Sequence, residues 1–88
     1  MKDLAKKLEL IKKLVDLNLH TEALMEIAVF FNLQLEYEQL LAIDTMHRIR
    51  NSMSENLIAV RKDVRDDMIS KIHSTYGKDI ASEVAKIV

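Results

Sequence analysis

The stretch Leu35–Ile72 reads LEYEQLLAIDTMHRIRNSMSENLIAVRKDVRDDMISKI, and its apolar spacing decides the fold. From Leu35 onward, Leu40, Ile43, Met46, Ile49, Met53, Leu57, Val60, Val64, Met68 and Ile72 recur at the period of one face of an α-helix. Nothing in that period forbids a single helix to about residue 75. Such a helix would span roughly 58 Å at 1.5 Å per residue. A compact chain of this length has a diameter of only about 31 Å. One way out is a break. Ser52-Met53-Ser54-Glu55 is a capping-box pattern, and Asn51 before it is a weak helix former that suits a terminus. The other is a protruding helix covered by a second chain. The stripe Met46, Ile49, Met53, Leu57, Val60 and Val64 is then a homodimer interface.

The flanks read as shorter helices. Leu4, Leu8, Ile11 and Val15 share a face with Leu10, Leu14 and Leu17 beside them, an arc wide enough for two neighbours. A turn follows at Asn18–His20, with Thr21 as the expected N-cap and Glu22 complementing the positive helix end. Residues 23–31 are apolar almost all round, which places that helix in the middle of a bundle. Asn32 tolerates the left-handed conformation and is the expected terminator. Gly77 is the clearest stop, and a last helix from Lys78 to Val88 carries Ile80, Val84, Ile87 and Val88.

Composition narrows the class. With no proline and one glycine, the turn signals of a β-sandwich or barrel are missing. The 49% apolar and 31% charged content argues against disorder. Without cysteine there is neither a disulfide framework nor a thiolate zinc site. No run is long and apolar enough to span a membrane, and no secretory signal is visible, so a cytoplasmic protein is expected. The fold expected is all-α: one domain over residues 1–88, a bundle of four or five helices, completed by dimerisation.

The net charge of −1 conceals a segregation. Residues 21–47 hold Glu22, Glu26, Glu36, Glu38 and Asp44 and no lysine or arginine. Residues 1–20 hold five lysines, and residues 48–73 hold six basic side chains. Blocks of opposite sign imply pairing across helices or subunits, which sets register more than stability. Nucleic-acid binding is not favoured, because Arg48, Arg50, Arg61, Lys62 and Arg65 are interspersed with acids.

Catalytic parts are few. One glycine excludes a glycine-rich phosphate loop, and no serine sits in a strand-to-helix elbow. Asp44 and His47 stand three apart and would supply two metal ligands, but no second pair completes a site. The remaining pattern is His47-Arg48-Ile49-Arg50-Asn51-Ser52. It resembles the phosphoacceptor box of one class of sensor histidine kinases. It is also similar to the box of histidine phosphotransfer domains, which place a basic residue three after the histidine, as Arg50 is here. The second family has glycine where Asn51 stands. The resemblance covers six residues and implies His47 as phosphoacceptor, Arg50 steadying the phosphoryl group and Asn51 beside it. The function expected is a non-enzymatic interaction or regulatory module, acting on a copy of itself or another helical protein, without cofactor or metal. Phosphotransfer through His47 is the alternative, and nucleic-acid binding by a dimer comes third.

Overall fold

Five helices form in chain order: α1 (Leu4–Asp16), α2 (His20–Phe30), α3 (Tyr37–Ile49), α4 (Glu55–Tyr76) and α5 (Lys78–Ile87). This computed structural model describes residues 3–49 and 55–88, the side chains of residues 47, 49 and 55–57 excepted. No strand occurs among the described residues, so the all-α bundle expected from the sequence is what the chain forms. Helix α1 packs on α2 and α5, and α4 packs on α5 and α2, closing a ring of four helices. Helix α3 lies against α2 and α4.

The first two helix ends are set by asparagine. Asn18 (φ 63°) and Asn32 (φ 51°) both adopt the left-handed conformation. At the first, the Leu19 N–H donates to the Leu14 carbonyl at 2.8 Å and the Asn18 N–H to Val15 at 2.9 Å. At the second, the Leu33 N–H donates to Ala28 at 2.9 Å and the Asn32 N–H to Val29 at 3.2 Å. These are Schellman turns, in which the last carbonyls of a helix recover the partners that the helix itself cannot supply. The first turn leads straight into α2 and puts Leu19 at the N-cap position, without a side-chain cap. Thr21, the expected cap, is instead buried in the first turn of α2. At the α4–α5 junction Gly77 sits at φ 99°, ψ 168°, a region essentially reserved for glycine.

The long stripe is a core seam folded back on itself. Ile43 and Met46 of α3 and Val64, Met68 and Ile72 of α4 are all buried, in one cluster with Ile11, Leu24, Ile27, Phe31 and Val84. The Gln39 side-chain amide donates to the Asp67 carboxylate. Lys71 Nζ contacts that carboxylate at 2.8 Å and donates to the Gln34 carbonyl at 2.9 Å. Bonds from the start of α3 to the far half of α4 require α4 to run back along α3. A straight helix through both is therefore excluded, and the particle measures 36 × 26 × 18 Å. With the 58 Å rod goes the length mismatch that pointed to a dimer. Asn51 and Ser52–Ser54, where the break was expected, lie outside the described residues.

Asp67 also carries a pH dependence. The hydrogen bond from Lys71, then that from Gln39, holds its carboxyl below the ordinary 3.8. A carboxyl with a depressed folded pKa adds stability above its unfolded pKa and loses it as pH falls through the folded one. Because the pair is partly solvated, the contribution is at most about 1 kcal/mol. Asp67→Asn should therefore flatten the fall in thermal midpoint as pH drops below the ordinary carboxyl value of 3.8. Parallel acid profiles for the two proteins would contradict it.

Candidate functional site

Helix α2 is covered on the side of Ala23, Leu24 and Ile27 and left open on the side of Met25 and Val29. Met25 and Val29 are four residues apart and so stand on one face. Val29 is 79% exposed and Met25 about half. Helix α3 turns Ile43 and Met46 inward, and this leaves Tyr37, Leu40 and Leu41 outward, at 74%, 52% and 47% exposure. Tyr37, Leu40, Leu41 and Asp44 follow the i, i+3, i+4, i+7 spacing of a helix face. Between the two helices runs a groove of about 300 Å³, walled by Met25, Val29 and Leu40 and floored by Ala28, Leu35 and Ile43.

The rim is acidic. Asp44 stands in the groove wall and pairs with Arg48 one turn on at 3.1 Å. An exposed pair at this spacing contributes only about 0.3–0.5 kcal/mol. Glu36 and Glu38 are exposed at the start of α3, and no ion pair joins either carboxylate among the described residues. Glu26 turns the other way, meeting Lys7 of α1 at 3.1 Å. Lys7 Nζ also lies 5.7 Å from the Phe30 ring centroid, a cation–π approach. The acidic segment thus meets a lysine of α1 within one chain.

The stripe expected to be an interface divides. Met46 is fully buried and Val64 nearly so, both inside the chain's own core. Val60 is 36% exposed on α4. The side chains of Ile49 and Leu57, and all of Met53, lie outside the described residues. His47 falls in α3 beside buried Met46, but its side chain, like Arg50 and Asn51 entire, lies outside them too. The open surface is carried by Met25, Val29, Tyr37 and Leu41, which the single-stripe reading passed over, and by Leu40, which it placed on the stripe. The sequence did hold a signal for it. An α2 apolar all round and an α3 with a second apolar row at 37 and 41 carry more apolar surface than five short helices can cover. No protein-family model, curated protein or solved structure matches the chain.

Proposed function

We propose that the chain is a non-enzymatic interaction module that self-associates through the α2–α3 face, acting in the cytoplasm as a regulatory or assembly element. The observation that carries this reading is the groove that exposed Met25, Val29 and Leu40 line between two adjacent helices, with Tyr37 and Leu41 also exposed on α3. Soluble monomers seldom leave a contiguous apolar patch of more than a few hundred Å², and larger ones mark binding surfaces. A groove between two helices suits the apolar face of another helix. The occupant is the same face of a second copy. A two-fold arrangement covers both patches at once and closes the assembly.

Methyl NMR locates the contact. Between dilute and concentrated samples, the Met25, Val29, Leu40 and Leu41 methyls should shift, while those of Ile11, Ile27 and Ile72 stay fixed. Shifts confined to α1 or α5, or none, would refute the assignment.

A further inference from the structure

The sequence holds methionine at positions 1, 25, 46, 53 and 68. Met46 and Met68 are core residues, at 0% and 1% exposure, whereas Met25 is 47% exposed. Its side chain stands in the wall of the α2–α3 groove with Val29 and Leu40. Met1 and Met53 lie outside the described residues. A thioether is oxidised where a peroxide can reach the sulfur, and a close-packed core withholds it.

The product of that oxidation does not suit the groove. A sulfoxide replaces a polarisable apolar atom with a polar group carrying a strong acceptor oxygen. Around Met25, the side chains of Ala28, Val29, Leu35, Leu40 and Ile43 are hydrocarbon, and the Asp44 carboxylate accepts but does not donate. Among the described residues, no side chain lining this groove can answer the new oxygen. In the single chain, water answers it. Under a second copy of the same face water is excluded, and the oxygen is left with the desolvation cost of an unpaired polar group.

We propose that Met25 is a peroxide-sensitive modification site that sets the strength of self-association: the thioether belongs to the associated face, and the sulfoxide releases it. This rests on the self-association proposed above. The oxidant is hydrogen peroxide. The Met25 sulfur attacks one peroxide oxygen, and the S–O bond forms as the O–O bond breaks. The departing hydroxide takes the proton left on the transferred oxygen, so the products are one sulfoxide and one water. Sulfur loses two electrons and the peroxide gains them. In the dimer the sulfur is covered, so the free chain is the form that reacts.

The test treats the full chain with hydrogen peroxide at protein concentrations below and above the midpoint of association, and follows each methionine by peptide mass. Met25 should gain one oxygen well before Met46 and Met68, and faster in the dilute sample than in the concentrated one. Once peroxide is removed, sedimentation equilibrium should show the dissociation constant raised at least about tenfold, with the circular-dichroism spectrum unchanged. Two methionine sulfoxide reductases, one for each epimer, should restore the starting affinity. Met25→Leu removes the sulfur, and its affinity, whatever the starting value, should be the same before and after peroxide. Oxidation of Met25 no faster than of Met46, loss of helix on oxidation, or the same peroxide effect in Met25→Leu would each overturn the proposal. An untreated chain that stays monomeric would remove self-association itself and this proposal with it. An untreated dimer that ignores Met25 oxidation would overturn this proposal alone.

Discussion

Phe31→Ala is expected to lower the thermal midpoint by at least about 12 °C, the largest stability loss from any single truncation in the chain. Phe31 is fully buried at the end of α2, where α4 comes against it. Its ring meets Phe30 edge-on at 4.9 Å between centroids and Tyr76 of α4 at 5.3 Å. The Tyr76 hydroxyl donates to the Phe31 carbonyl at 2.9 Å, so ring and backbone of one residue tie α2 to α4. Truncating a buried phenylalanine to alanine costs about 3–5 kcal/mol in lost contacts and cavity. A chain of this size has a total stability of about 4–13 kcal/mol, so the variant stands near the edge of folding. Tyr76→Phe, which removes only the hydroxyl, should cost about 1 kcal/mol. Circular-dichroism melts check both. A Phe31→Ala midpoint within a few degrees of wild type would mean that this junction does not organise the core.

Val29→Glu should separate fold from assembly. The side chain is mostly exposed in the single chain, so the substitution should change stability by no more than about 0.5 kcal/mol. In the proposed dimer the same position is covered, and the new carboxylate would be buried without a partner. Losing a central apolar contact and burying an unpaired charge together cost about 2–4 kcal/mol. At 1.4 kcal/mol per tenfold, the dissociation constant should rise by roughly 30- to 1,000-fold. Sedimentation equilibrium on Val29→Glu beside Lys12→Glu, an exposed change on α1, measures it. Equal association of the two variants would remove the α2–α3 face from consideration.

Much of this architecture is legible in the sequence, and the illegible parts share a cause. The helices, the Asn32 and Gly77 stops and the two-sided arc of α1 follow from local chemistry: periodicity, left-handed tolerance and the width of an apolar face. The reversal between α3 and α4 does not. A core-facing stripe keeps its period whether two helices run end to end or fold back, and the deciding bonds join Gln39 and Gln34 to Asp67 and Lys71, far along the chain. Thr21 misled because capping depends on where the preceding turn delivers the backbone. The open face of α2 was hidden in a helix apolar on every side, since hydropathy does not reveal how many neighbours arrive. Helix α2 has three, and they leave Met25 and Val29 uncovered. For His47, Arg50 and Asn51 the sequence pattern stands alone.

Self-association is the claim on which the proposed function depends, and solution mass tests it most directly. Static light scattering on the wild-type chain at high micromolar concentration should give twice the 10.2 kDa of one chain, and the dimer fraction should fall on dilution. A mass of 10.2 kDa at every concentration would contradict it.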